Sequence, residues 1–139
     1  MKKQTKHHPD TNIIIRYLTK DEESFYIKAK SFFDGVKDGK TKAVILESVL
    51  AECIYVLIKI YKAPRDVAAD SLIDILHYNG IANTDQKELI MALRLFSERN
   101  IDFVDCILCV KAAVPDASLF TFDKELQKTS RLLLQEKKP

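Results

Sequence analysis

Lys42-Ala-Val-Ile-Leu46 runs directly into Glu47-Ser-Val-Leu-Ala-Glu-Cys-Ile-Tyr-Val-Leu57. The first part contains a short apolar run, Ala-Val-Ile-Leu, that reads as a strand. In the second part Leu50, Cys53, Ile54, Leu57 and Tyr61 recur at helical spacing, which predicts a helix from about Glu47 to Tyr61. A strand handing over to an amphipathic helix is the building unit of an α/β fold. Glu52 is the odd residue of this stretch. It interrupts Val-Leu-Ala-Glu-Cys-Ile, shares a face with Val49 and Val56, and is not expected on the solvent side.

The same alternation extends in both directions. Upstream, Thr11 to about Leu18 reads as a short helix, with Asp10-Thr-Asn supplying capping groups. Residues 21–38 form a second helix carrying Phe25, Ala29, Phe32, Phe33 and Val36, closed by Gly39. Downstream, Pro64 suits the first turn of a helix that carries Val67, Ala68, Leu72, Ile75 and Leu76 and ends near Gly80. Ile81-Ala82 suggests a very short strand. Asp85 then opens a helix with Leu89, Ile90, Leu93 and Phe96, and Asp102 opens another, with Asp105 at capping-box spacing. Ser118 to Phe122 is expected to be a strand, followed by a short helix near Asp123. Arg-Leu-Leu-Leu at 131–134 reads as an edge strand before a charged tail at 135–139. No internal repeat or linker divides the chain, so residues 1–139 are expected to be one domain. Together these elements predict a short parallel sheet covered by helices on both faces. In such sheets ligands collect beyond the carboxyl ends of the strands, where Asp10 and Asp123 would lie.

Composition bounds the chemistry. With 139 residues, 47% hydrophobic and 30% charged, the chain is large enough for one core. No apolar run approaches the roughly 20 residues that cross a bilayer, and the first residues lack a signal-peptide core. The expectation is a cytoplasmic protein with no membrane partner. Cys53, Cys106 and Cys109 all fall in apolar helical patterns, so buried reduced thiols are expected rather than a disulfide framework. Cys106-x-x-Cys109 lacks the second Cys/His pair of a zinc site. The net charge of +2 rests on 22 basic and 20 acidic residues. Sequestering several of those acids around a cation would leave a more basic exterior, suited to a polyanion.

Asp10, Glu52, Asp105 and Asp123 stand within or beside apolar stretches. Burying an unpaired carboxylate is costly, so such acids take a partner or a metal. Few cations lie near them in sequence. Converging acids that hold a hard divalent ion, Mg²⁺ or Mn²⁺, fit the chemistry of a metal-dependent nuclease. Each acid also has a plain structural reading. Asp105 on its own reads equally well as a helix N-terminal cap, and Asp123 as the cap of the helix that follows. Lys59, Lys62 and Arg65 read as solvated surface, whereas Lys124 and Lys128 lie nearest the last acid and are the expected phosphate contacts.

The stretches at 10–18, 47–57, 102–108 (Asp-Phe-Val-Asp-Cys-Ile-Leu) and 121–126 (Thr-Phe-Asp-Lys-Glu-Leu) resemble the PIN domain, and more narrowly the VapC toxins of toxin–antitoxin pairs. The resemblance implies a three-layer α/β sandwich with a parallel sheet of about four to five strands. It implies a metal-dependent endoribonuclease in which Asp10, Glu52, Asp105 and Asp123 match the acidic quartet. Thr11 and Asn12 match supporting residues near the first acid, and Thr121 a supporting hydroxyl. It also implies an RNA substrate, a cognate antitoxin protein and a homodimer. One departure stands out. Family members carry an apolar strand before the first acid, whereas Lys6-His7-His8-Pro9 occupies that place here. Either the strand is short and irregular, or residues 1–8 form an altered or poorly ordered terminus. The alternative function is a catalytically silent PIN-like domain that binds RNA or protein.

Overall fold

Backbone hydrogen bonds of one segment, residues 43–45, organise the chain in the computed structural model, which describes residues 4–136. Strand β1 (Lys6–His7) lies parallel to β2 (Lys42–Ala43), with Lys6 opposite Lys42 and His7 opposite Ala43. The Val44 N–H donates to the His7 carbonyl at 2.9 Å. On the other side the Ala43 N–H donates to the Gly80 carbonyl at 2.9 Å, and the Ala82 N–H to the Ala43 carbonyl at 2.8 Å. These bonds form an isolated parallel bridge between Ala43 and Ile81. A side chain then continues the ladder. Asn83 accepts from the Ile45 N–H through Oδ1 at 2.8 Å and donates through Nδ2 to the Ile45 carbonyl at 2.7 Å.

Helices account for most of the remaining chain. Helix α1 (Thr11–Thr19) and α2 (Glu23–Asp38) follow β1, and α2 ends on Gly39 at φ 85°, the left-handed conformation glycine adopts without a Cβ clash. Helix α3 (Glu47–Lys59) leaves β2, and α4 (Arg65–Leu76), α5 (Gln86–Glu98), α6 (Phe103–Ala112) and α7 (Lys124–Glu136) complete the order. Helix α3 packs on α1, α4 and α6, while α5 packs on α4 and α6, and α6 on α7. The core is one cluster. Ile14, Phe33, Val36, Ile45, Leu50, Leu72, Leu76, Leu89, Leu93 and Val110 are fully buried within it. Each large aliphatic or aromatic side chain removed from water there contributes about 1.5–3 kcal/mol before the entropy of ordering is counted.

Arg65 closes the far end of α5. Its guanidinium donates to the carbonyls of Phe96, Arg99 and Ile101 and lies 3.6 Å from the centre of the Phe96 ring. The rigid fork of donors gathers the Phe96 carbonyl in the last turn of α5 and the Arg99 and Ile101 carbonyls just beyond it. This residue, read from sequence as solvated surface, is therefore a structural clasp.

Several expectations are corrected. The described residues form two strands and one further bridge, so a sheet of four to five strands is not seen. Residues 118–122 form no strand, because their backbone finds no ladder partner and runs irregularly over the surface. Arg131 to Leu134 lies in α7, whose Leu126, Thr129, Ser130 and Leu133 form a buried helical stripe. That helix is also longer than the short one expected. Residues 135–136 belong to it, and the rest of the predicted charged tail lies outside the described residues. At the other terminus the first strand is short and irregular: two exposed residues, followed by a buried Pro9.

Gly80 tests the sheet. Its N–H donates to the Val36 carbonyl at 2.7 Å, and an added Cβ would stand 2.0 Å from the Thr41 carbonyl oxygen and 2.7 Å from that of Val36. Both obstacles are backbone and cannot swing aside. Gly80→Ala is expected to destabilise the protein by about 1–3 kcal/mol, read as a lowered midpoint in thermal or urea unfolding. An unchanged midpoint would show that the close packing of these segments is dispensable.

Candidate active site

The four acids emerge from four helices arranged in succession. Asp10 sits at the N-cap of α1, where its Oδ1 accepts the Ile13 N–H at 3.0 Å. Asp123 does the same for α7, its Oδ1 accepting from the N–H groups of Glu125 and Leu126 at 2.9 and 3.1 Å. The capping reading of Asp123 is therefore correct. In both residues the second carboxylate oxygen is left over. Thr121 supports the turn, its Oγ1 accepting the Asp123 N–H at 3.0 Å.

Glu52 lies on α3, whose buried stripe is Leu50, Cys53, Ile54 and Leu57. At 100° per residue Glu52 points almost opposite that stripe, and it is exposed. The expectation that it avoids the solvent side is overturned: it stands on the open face of its helix. Asp105 is half-buried in the first turn of α6. The capping box expected of Asp102 and Asp105 does not form, because the Asp102 side chain accepts no cap hydrogen bond. Among the described residues, no protein group hydrogen-bonds to the carboxylates of Glu52, Asp102 or Asp105.

Electrostatics links the acids in pairs. The Asp105 carboxyl is held above its ordinary range, first by burial and then by the negative charges of Asp102 and Asp123. Burial, with Glu52 and Asp10 adding to it, pushes the Cys53 thiol up to about 12. Asp10 and Glu52 thus act on one point of α3, and Asp123 acts on Asp105. Among the described residues, no three His, Cys, Asp or Glu side chains stand together at metal-holding distance. The donor set nevertheless suits a hard divalent cation, since it consists of carboxylates: Glu52 and Asp105 without protein partners among the described residues, and Asp10 and Asp123 each with one oxygen beyond the one that caps a helix.

Two clefts meet at Asp105. One, of about 420 Å³, is lined by Tyr55, Lys59, Arg65, Phe103 and Asp102 among others. The second, of about 360 Å³, is lined by Glu47, Lys111, Ser118, Phe120 and Thr121. Asp105 is the one described residue that lines both. Beside the second cleft Lys111 donates to Glu47 at 2.5 Å and to Asp85 at 3.0 Å, and these bonds raise the affinity of its amine for its proton. The Asp85 carboxyl, although burial opposes it, is held below its ordinary range by Asn83 and Lys111.

The other sequence-marked residues are placed plainly. Thr11 is buried and Asn12 exposed at the start of α1, and Lys124 and Lys128 are exposed on α7. His7 packs edge-on against Phe32, with ring centres 6.0 Å apart, and His8 is exposed. All three cysteines are buried and unpaired, and burial also lifts the Cys106 thiol to about 12. They are packing residues, as expected. Sequence reasoning missed Asp102 as an electrostatic neighbour of Asp105, although its spacing of three residues on one helix start was visible. It also missed the Glu47–Lys111–Asp85 cluster, which links residues distant in sequence, and the exposure of Phe120 and Phe122.

Comparison with known proteins identifies the family. The family model described as PIN domain matches residues 9–132, a span that contains all four acids. The VapC ribonuclease of Aquifex aeolicus (strain VF5) is 30% identical over 104 residues, which cover 74% of this chain and 76% of that protein. No solved structure matches. No described helix is long and apolar enough to cross a membrane. On the extent of the family match and of the VapC identity, the chain belongs to the PIN domain family.

Proposed function

We propose that this protein is a metal-dependent endoribonuclease that hydrolyses RNA phosphodiester bonds, acting as one domain and as the toxin of a VapBC-type pair in the cytoplasm. The observation that carries the reading is Asp105. It is a half-buried carboxylate with no protein partner among the described residues, at the junction of two clefts, raised by burial and then by two neighbouring acids. Likeness to a VapC ribonuclease supports RNA as the substrate and an antitoxin as the partner.

Asp10 and Asp105 are assigned as the principal metal ligands, with Glu52 and Asp123 contributing directly or through water. A bound Mg²⁺ or Mn²⁺ would supply Lewis-acid activation of water and neutralisation of the charge that develops on phosphate. Glu52, exposed and unpaired, takes the proton of the attacking water as the new P–O bond forms and the bond to the leaving ribose oxygen breaks. Capping fixes one oxygen of Asp10 and of Asp123, so both present their second oxygen from a rigid helix start. Thr121 holds the Asp123 turn, and Thr11 and Asn12 support the first acid from α1. Lys124 and Lys128 are assigned to RNA phosphates.

A second reading has one observation in its favour. Without three acids standing together, the same surface serves a catalytically silent domain that binds RNA or protein. Activity separates the two. Cleavage of single-stranded or loop RNA is expected only with Mg²⁺ or Mn²⁺. Asp10→Asn and Asp105→Asn should abolish it with the fold retained, and Glu52→Gln should lower it about a hundredfold. Cleavage by Asp105→Asn in a chelator, at the parent rate, would overturn the mechanism.

Asp105 also makes a stability prediction. A raised carboxyl means that the folded state holds its proton more tightly than the unfolded chain does. The stabilisation is complete below the ordinary value of 3.8 and is lost as pH climbs from there through the raised value. Asp105→Asn should therefore melt above the parent at neutral pH, with the gap closing as pH falls through that window. Millimolar Mg²⁺ or Mn²⁺ should raise the parent but not the variant. A gap that stays constant from neutral to acidic pH would remove Asp105 from the set of strained acids.

A homodimer is the proposed assembly. Asp21 accepts from Tyr61 Oη at 2.7 Å and from Thr19 Oγ1 at 3.0 Å, bringing the start of α2 to the end of α3. Phe25 and Ile27 on α2 and Ile60 and Tyr61 just beyond α3 are exposed, whereas Phe33 is fully buried in the core. Apolar surface of this kind marks an interaction site. Light scattering should report twice the chain mass, and a strict monomer across micromolar concentrations would reject the dimer.

A further inference from the structure

Phe120 and Phe122 are 89% and 90% exposed, on the irregular stretch that leads from α6 into α7. Their ring centres lie 5.8 Å apart at 69°, edge to face. The pair is not free to wander from the acids. It brackets Thr121, whose Oγ1 accepts the Asp123 N–H at 3.0 Å and whose carbonyl accepts from Gln127 Nε2 at 2.7 Å. These two bonds hold the backbone between the two aromatics at the start of α7. Phe120 and Thr121 line the same cleft as Asp105. Lys124 and Lys128, four residues apart on one face of the α7 that follows, are exposed and have no carboxylate partner among the described residues.

The surroundings select the occupant. An apolar protein segment would need a continuous greasy surface, but along this stretch Ser118, Thr121, Asp123 and Lys124 interrupt the apolar Leu119, Phe120 and Phe122. It would also leave two cations unanswered. An unpaired nucleotide satisfies both features, because its base offers a π face to a phenyl ring and its phosphates answer the lysines. We propose that Phe120 and Phe122 form a base-stacking platform that holds an unpaired nucleotide of single-stranded RNA beside Asp105 and Asp123. The platform rests on the ribonuclease reading and adds to it the means by which substrate is brought into register. One ring presents its face to the base and the other braces it edge-on. Since every base has a π face, the platform favours unpaired RNA over duplex without choosing a base.

The test is binding of a short fluorescent oligoadenylate in a metal chelator, which keeps the RNA uncut. The double variant Phe120→Ala/Phe122→Ala should bind roughly tenfold more weakly or worse. Phe120→Leu, still apolar, should weaken binding as well. The chain has no tryptophan, so Phe120→Trp introduces a single indole reporter. That variant should bind as tightly as the parent and be quenched by the oligomer, but not by a chain of the same length lacking bases. Exposure of both side chains makes misfolding no obstacle, and a parent-like melting curve verifies this. Parent-like affinity in Phe120→Leu, or an unquenched Phe120→Trp with RNA bound, overturns the platform and leaves the ribonuclease reading intact. If the alanine pair binds RNA normally but no longer self-associates in light scattering, the rings belong to a protein interface and the platform falls. A parent that neither binds nor cleaves single-stranded RNA overturns the platform and the ribonuclease reading together.

Discussion

The backbone of Ala43, Val44 and Ile45 is the constraint on which the other parts depend. Its N–H and carbonyl groups are met by His7 on one side and by Gly80, Ala82 and the Asn83 amide on the other. The His7 bond fixes where the chain turns into α1 and so where Asp10 caps that helix. The Asn83 bonds fix the entry to α5. Two residues after Ile45 the chain becomes α3, carrying Glu52 outward on the fifth residue beyond the helix start. Three consecutive residues, Ala43 and Ile45 of them buried, thus set the relative placement of elements that otherwise share no local sequence.

Charge is sorted around this frame in two ways. Lys111 ties Glu47 to Asp85, and Arg65 clasps the end of α5, so these charges do structural work with partners of matching geometry. Glu52, Asp102 and Asp105 are left without such partners, and burial, with the charges of Asp102 and Asp123, raises Asp105. In a partly exposed ion pair the gain is modest, about 0–1 kcal/mol, because water screens it. The contrast between answered and unanswered carboxylates therefore says less about stability than about where a cation or a phosphate backbone would be accommodated.

Most helices were legible because periodicity and end signals agree along α1 to α6, as with Gly39 after α2 and Asp10 before α1. Strands were harder. Leu-Phe-Thr-Phe carries β-forming residues between aspartates, yet nothing local reveals that no partner backbone waits for it. The Arg-Leu-Leu-Leu run misled for a related reason: its helical stripe is visible only when Leu126 and Thr129, a turn earlier, are read with it. The positions of the four acids were legible as isolated anomalies. The outward aim of Glu52 could have been deduced from the stripe opposite it, but the pairing of Asp105 with Asp123 depends on how α6 meets α7, which no local pattern encodes.

The Asn83 amide also bears on how the protein behaves among copies of itself. A sheet margin with vacant N–H and carbonyl groups is a template on which a foreign strand can grow. Here Asn83 engages both backbone groups of Ile45, and β1 is only two residues long and ends before Pro9, which has no N–H to offer. At its carboxyl end the ladder is stopped by a side chain against Ile45 and by an imino acid after β1. A chain with so little open margin is protected from edge-to-edge accretion, a useful property for a small protein with considerable apolar surface elsewhere.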